Sequence, residues 1–284
     1  MVGLVSQVAG SFSTPATQDP SSAMMRRAFH DLGYPVEYLN LDISALRLGD
    51  AVTGARAMGW MGFLVGEPHK VSVVAHLDGL AESAALIGSA TVAARRGDAL
   101  VGENTEGWAL VEGVEESMDL EHSRVVILGA GGAARAAAVE FARAGASHIT
   151  IVNRRPARAR QLAGNLAGVE GLTVSVLGVE GRLRLPSTTD VLVNATSAGA
   201  DYDPQPLMNL DYETLRPQMV VADYVPVLGG TALLKEAAAL GAQTLDGIEI
   251  RARQGALAVR MWTNADADWT AMRAELEDSL ARLA

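Results

Sequence analysis

The hydrophobic and polar positions of the first hundred residues alternate between two periods. MVGLVSQV reads as a strand, and Pro20 to Leu32 as a helix, entered through Asp19-Pro20 and stopped by Gly33. VEYLNLD is a second strand, LGDAVTGARAMG a helix ending at Gly59, and MGFLVG a third strand. Pro68 then opens HKVSVVAHLDGL, whose apolar residues fall at helical spacing. The middle of the chain changes character. RVVILGAG, HITIVNR, DVLVNAT and MVVADYV are short β-branched runs of the kind buried in a parallel sheet, and helical segments such as AARAAAVEFARAG separate them. Strands alternating with helices imply βαβ units with right-handed crossovers. The last segment, DADWTAMRAELEDSLARLA, is an amphipathic helix.

This pattern predicts an α/β protein of two domains. Residues 1–106 form an N-terminal α/β domain, residues 107–246 a Rossmann-type, doubly wound parallel-sheet domain, and residues 247–284 C-terminal helices. The final helix offers a surface for a homodimer, although packing back on its own N-terminal domain is the favoured expectation.

With 284 residues the chain has ample length to bury a core. No apolar run reaches the roughly 18 residues a membrane span needs. MVGLVSQVAGSFS carries no basic flank ahead of its apolar part and does not read as a secretion signal, so the cytoplasm is the default expectation. The absence of cysteine excludes disulfides, thiolate catalysis and Cys-based metal sites. A net charge of -10 repels polyanions, so nucleic acid is not an expected partner. The five histidines show no clustered metal-ligand spacing, and no metal is expected.

RVVILGAGGAARAAAVEF is a strand, a glycine turn and a helix. Gly129, Gly131 and Gly132 stand where the chain leaves a strand tip, so backbone N–H groups and a helix N-terminus can meet a pyrophosphate. Ala130 and Ala133 complete the turn, and small residues at 133 and 134 permit close helix–sheet packing. The next strand ends in Asn153-Arg154-Arg155, with Arg158 one turn on, where an NAD site carries an acidic residue. Guanidinium forks suit a 2′-phosphate, which favours NADP(H) over NAD. Cations in a helix's first turn oppose its dipole, so the cluster calls for a reason beyond solvation.

At this point the chain resembles the shikimate dehydrogenase family over nearly its whole length. GSFSTP resembles the family's Ser-x-Ser-Pro segment that holds a substrate carboxylate, matching Ser11 and Ser13, with Thr14 inserted before Pro15. GFLVGEPHK resembles the segment whose lysine is catalytic, matched by Lys70, and GENTEG the segment whose aspartate partners that lysine, matched by Glu106. VNATSAG resembles the loop beside the nicotinamide ribose, which implies cofactor contacts from Asn194, Thr196 and Ser197. DGIEIRARQGALAVRMW resembles the closing helix, with Gln254 at the substrate-touching glutamine and Gly247 placed with the cofactor groups. The resemblance implies a small-molecule substrate whose hydroxyl and ketone are interconverted with NADP(H). A lysine near the reacting oxygen exchanges its proton and supports the alkoxide. Its ordinary pKa of about 10.4 is high for this, and partial burial would lower it.

The departures from the family cluster around the substrate. Glu106 is one methylene longer than the aspartate, moving the carboxylate by about 1 Å, enough to disturb a tuned geometry by roughly 100-fold. Its alternative reading is an acidic residue in a helix's first turn, stabilised by the dipole. Gly66 replaces a threonine, Glu67 an apolar residue, and Gly88-Ser89-Ala90-Thr91 is one residue short, without the substrate-binding asparagine. Pro226 stands where a tyrosine is expected, with Tyr224 close by as a substitute. Each hydrogen bond lost to a neutral hydroxyl is worth about 0.5–1.5 kcal/mol. The combined reading is a paralogue acting on a small cyclic compound, expected to retain a carboxylate, with Glu67 contacting a hydroxyl or amine of it. Two alternatives stay open: ordinary 3-dehydroshikimate reduction by a shikimate 5-dehydrogenase, and an NADP-binding paralogue whose catalysis has decayed. His69 is open between facing the cleft and a helix-start role.

Overall fold

A computed structural model describes residues 7–179, 181–199 and 207–283. The chain divides into two compact units, residues 1–105 with 252–284, and residues 106–251.

The first unit is built on β1 (Gln7–Ser13), α1 (Ser21–Asp31), β2 (Val36–Asp42), α2 (Leu48–Ala57), β3 (Gly62–Val65), β4 (Gly79–Leu80), α3 (Glu82–Ile87), β5 (Val92–Arg96) and β6 (Ala99–Glu103). Its six-stranded sheet runs β2-β1-β3-β5-β6-β4, parallel across β2-β1-β3 and antiparallel through β5 and β6. The strand expected at residues 1–8 instead occupies Gln7–Ser13, and residues 1–6 lie outside the described ones. The GSF stretch, loop-like by composition, is a strand between β2 and β3 with residues 9–13 all buried. Small residues are what fits there: a Cβ on Gly10 would sit 2.4 Å from the Leu39 carbonyl oxygen. Phe12 stacks on Phe63 at 4.3 Å and, with Trp60, Leu48, Val52 and Val73, forms the core over this sheet.

The helix expected after Pro68 is a short 3-10 turn, Ser72–His76, followed by β4. Pairing overrides helical spacing there: Asp78 N donates to Leu100 O, and Leu100 N donates to Asp78 Oδ2. The C-terminal part of α8 (Gly247–Thr263) and α9 (Trp269–Leu283) complete this unit, with α9 against α1 and the Arg253 guanidinium 3.9 Å over the Trp269 ring.

The second unit comprises most of α4 (Thr105–Glu115), then β7 (Arg124–Leu128), α5 (Gly132–Arg143), β8 (His148–Asn153), α6 (Pro156–Asn165), β9 (Thr173–Gly178), β10 (Val191–Asn194), β11 (Val220–Asp223), α7 (Ala232–Ala239), β12 (Gln243–Leu245) and the head of α8. Its strands lie in the order β12-β11-β10-β7-β8-β9, all parallel. Counted from β7, this is the 3-2-1-4-5-6 order of a dinucleotide-binding sheet, and the order reverses between β7 and β10. The edge strands β9 and β12 escape the hydrophobic pattern because edges need fewer apolar residues.

Candidate functional site

In the second unit, the reversal of strand order leaves a crevice beyond the C-terminal ends of β7 and β10, where open sheets bind ligands. Gly129 leaves β7 with φ +116°, and a Cβ there would stand 2.6 Å from the Ala195 carbonyl oxygen, so only glycine lets the turn and the loop after β10 approach. Ala130 follows half-buried, Gly131 caps α5, and Gly132 and Ala133 begin it. Both Gly131 and Gly132 are exposed, and a Cβ on either would meet no protein atom within 4 Å. The open helix N-terminus therefore has room for a pyrophosphate. At the tip of β8, Asn153 Nδ2 donates to Arg155 O, and Arg154, Arg155 and Arg158 are exposed with guanidinium groups suited to a phosphate.

The predicted cofactor residues after β10 behave differently from one another. Asn194 is fully buried, and its side chain is engaged inside its own loop: Oδ1 accepts from Thr196 N and Oγ1, and Nδ2 donates to Ala198 O and Asp223 Oδ1. Thr196 Oγ1 also accepts from Ala198 N. These two side chains shape the loop, whereas Ser197 is exposed on it. Gly247 is buried at the head of α8, its Cβ position 2.5 Å from the Tyr224 carbonyl oxygen, so its glycine serves close packing.

Glu106 lies in the first turn of α4, half-buried, and its carbonyl accepts from the Tyr224 hydroxyl at 3.1 Å. Burial, then the charges of Glu106 and Glu140, raise the Tyr224 phenol well above its ordinary value. Tyr224 thus stays a neutral donor directed at the α4 backbone, and retains only acceptor capacity toward a ligand.

In the first unit, backbone ties hold the ends of β1 and β2 and the segment after β3, which carries Glu67 and Lys70, beside one another. Gly66 N donates to Phe12 O, Thr14 N to Glu67 O, and Ile43 N to Ser13 O. His69 is fully buried, and its Nε2 donates to Ile43 O at 2.6 Å, so it braces this loop from inside. Ser11 Oγ donates to Asn40 Oδ1 at 2.8 Å, whereas the Ser13 hydroxyl is buried and without a protein partner. Lys70 Nζ stands 3.5 Å from Glu67 Oε1, with the lysine side chain 26% exposed and the glutamate 77%. Gln254, on α8, is half-buried.

The departure at Gly66 is tied to the Ser13 segment, where Thr14 is inserted. A Cβ on Gly66 would lie 2.7 Å from Ser13 Cβ, so the serine occupies the room the threonine at 66 would need. Sequence reading missed the residues that rebuild the short Gly88–Thr91 loop. Asn104 Nδ2 donates to Ser89 O and Oγ, Thr105 N donates to Thr91 Oγ1, and the two threonine hydroxyls lie 3.0 Å apart. It also missed Asn40, Asp223 and Thr231. Polar side chains at the C-terminal tips of parallel strands were the available signal. Among the described residues no cluster of His, Asp or Glu could hold a metal ion, and no helix is long and apolar enough to cross a membrane.

Comparison with known proteins is extensive. The shikimate dehydrogenase substrate-binding domain matches residues 12–92, and the shikimate/quinate 5-dehydrogenase family matches residues 112–209. Shikimate dehydrogenase (NADP(+)) of Methanothermobacter thermautotrophicus is 36% identical over 278 residues, 97% of this chain and 96% of that protein. The ligand-free 5-ketofructose reductase of Gluconobacter sp. strain CHM43 superposes with a TM-score of 0.93 at 43% identity, covering 97% of this chain and 99% of that one. A shikimate dehydrogenase crystallised with NADP+ gives 0.87 at 32% identity, covering 98% and 97%. The chain belongs to the shikimate dehydrogenase family.

Proposed function

We propose that the chain interconverts a carbinol and a ketone with NADP(H), and that its substrate is a small, uncharged, polyhydroxylated compound rather than a carboxylated ring. The observation that carries the substrate class is the direction of the Ser11 hydroxyl. Its one proton points at Asn40 Oδ1, and the orientation of that amide is held by Asn40 Nδ2 donating to Ala16 O at 2.9 Å and Asp19 O at 3.5 Å. A carboxylate needs several donors, and of the two serines only Ser13 has a hydroxyl proton without a protein acceptor. Ser11 presents lone pairs, which suit a substrate hydroxyl. Glu67 adds a second acceptor and a negative charge beside Lys70. The 43% identical relative is named for reduction of 5-ketofructose, an uncharged keto sugar, which agrees with this polarity.

The exposed helix start at Gly131-Gly132 and the exposed Arg154, Arg155 and Arg158 support NADP(H) as the cofactor, which supplies or accepts the hydride when bound. Lys70 gives its proton to the carbonyl oxygen during reduction and takes it back during oxidation. Glu106 is assigned as the accompanying carboxylate from the family resemblance. A second reading, reduction of 3-dehydroshikimate, draws on the relatives that carry the shikimate dehydrogenase name.

Steady-state rates with NADPH and a panel of keto sugars, set against 3-dehydroshikimate, decide between the two. The expected result is a kcat/KM for an uncharged keto sugar at least about tenfold higher, equivalent to about 1.4 kcal/mol. A preference for 3-dehydroshikimate overturns the substrate class and leaves the cofactor assignment standing. Arg154→Ala tests the cofactor separately. Loss of a charged hydrogen bond should weaken NADP by about tenfold or more while sparing NAD; equal losses remove the 2′-phosphate contact.

A further inference from the structure

The structure assigns Asp223 as a positioning residue for the 194–199 loop beside the glycine turn, and through that loop for the bound dinucleotide; the assignment rests on the NADP(H) reading above. Asp223 ends β11 and is fully buried. Its carboxylate receives three donors: Asn194 Nδ2 at 2.9 Å and Val225 N at 3.0 Å on Oδ1, and Thr231 Oγ1 at 2.7 Å on Oδ2.

The consequence lies in the asymmetry of an amide. Asn194 has one acceptor end and one donor end, and an ionised carboxylate can only accept. Asp223 therefore fixes the Asn194 amide with Nδ2 inward. Oδ1 is then available to take Thr196 N at 3.1 Å and Thr196 Oγ1 at 2.7 Å. The same Nδ2 holds Ala198 O at 3.1 Å. A reversed amide would face Oδ1 toward the carboxylate and Nδ2 toward the Thr196 N–H, putting like against like at both ends. One buried carboxylate thus selects the conformation of a loop it reaches only through Asn194. That loop meets the glycine turn directly. Ala195 N donates to Leu128 O at 2.8 Å, and the Ala195 carbonyl occupies the space a side chain at Gly129 would need. Burial pushes the Asp223 carboxyl up to about 6 against the pull of its three donors, so near neutrality it is ionised and accepts from all three.

The test is NADPH binding by calorimetry to the folded, full-length protein and its variants. Asp223→Ala removes the reference for the Asn194 amide and should raise the NADPH Kd about tenfold or more. Asp223→Asn can still offer Oδ1 to Asn194 and Val225 and its Nδ2 to the Thr231 oxygen, so it should restore Kd to within about threefold of the parent. The parent's NADPH affinity should fall more steeply than the asparagine variant's as pH drops through about 6, where the ligand's 2′-phosphate also takes up a proton. A cooperatively folded Asp223→Ala protein with parental affinity would overturn the assignment. If Asp223→Ala does not fold, Thr231→Val takes one donor from the same carboxylate and gives the same readout: a Kd weakened about threefold supports the assignment, and an unchanged one overturns it. A parent protein that binds no NADPH sinks the cofactor reading, and this assignment with it.

Discussion

In the second unit the glycine turn, the arginines after β8 and the loop after β10 keep the residue types of the family; in the first, Gly66, Glu67 and Gly88–Thr91 do not. The difference follows from what each unit recognises. A dinucleotide is met by strand order, a helix N-terminus and backbone N–H groups, and few side-chain changes leave those intact. A small-molecule substrate is met by individual side chains. Each replaced position sits against a neighbour that must accommodate it: Gly66 against Ser13, Thr91 against Thr105, Ser89 against Asn104.

Lys70→Ala breaks the comparison hardest. Removing the group proposed to exchange the proton should lower kcat by about 100- to 10,000-fold while NADPH affinity, a property of the other unit, stays constant. A variant retaining most of its kcat would take Lys70 out of the chemistry and leave the altered first unit without a reaction to serve.

Asp223 sharpens the comparison from the second unit through pH. Its carboxyl is raised by burial from 3.8 to about 6. The native state therefore holds this proton more tightly than the unfolded chain. The stability this contributes is fully present below about 3.8 and is lost as pH rises through about 6. The interval corresponds to on the order of 3 kcal/mol. Urea unfolding between pH 4 and 7 should show that fall in the parent and a flatter profile in Asp223→Asn. A variant with the parental slope would mean that other groups set it.

Gly66→Thr asks whether the first unit can simply be returned to the family pattern. The new Cβ would start 2.7 Å from Ser13 Cβ. Overpacking of this kind should destabilise by about 1–3 kcal/mol in thermal or urea unfolding. Deleting Thr14 in the same chain shifts the segment carrying Ser13 and should recover much of the loss. Equal stability of single variant and parent would show that the two departures are independent.

Such neighbour contacts also explain what could be read in advance. The Rossmann-type unit was legible because its central strands are continuous β-branched runs and its turn needs glycine. β1 was legible only in part, since a strand buried on both faces here uses Ala9, Gly10 and Ser11, which carry no hydrophobic alternation. The hairpin of β5 and β6 had its signal in Gly97-Asp98, a two-residue turn with Gly97 at φ +61°. Ser11, Ser13, Glu67 and Lys70 were marked by motif. Their polarity was not, because it depends on Asn40, 29 residues from Ser11, fixing the direction of one proton. The role of Asp223 was not legible for the same reason: it is defined by partners on β10 and ahead of α7.

The smallest expected effect bears most directly on substrate charge. Glu67 is largely exposed and stands 3.5 Å from Lys70 Nζ, a pair of the kind worth about 0–1 kcal/mol, so Glu67→Gln should leave the melting temperature almost unchanged. Its influence on a ligand is a separate matter. A unit charge about 4 Å from another in water interacts by about 1 kcal/mol, close to a fivefold effect. A carboxylated substrate bound near the serines would feel Glu67 as repulsion, and a keto sugar would not. Glu67→Gln should therefore raise kcat/KM for 3-dehydroshikimate relative to a keto sugar by about fivefold, and added salt should shrink the difference between parent and variant. An unchanged ratio at low salt would mean that Glu67 faces away from the substrate, and the preference for an uncharged compound would then rest on Ser11 and Asn40 alone.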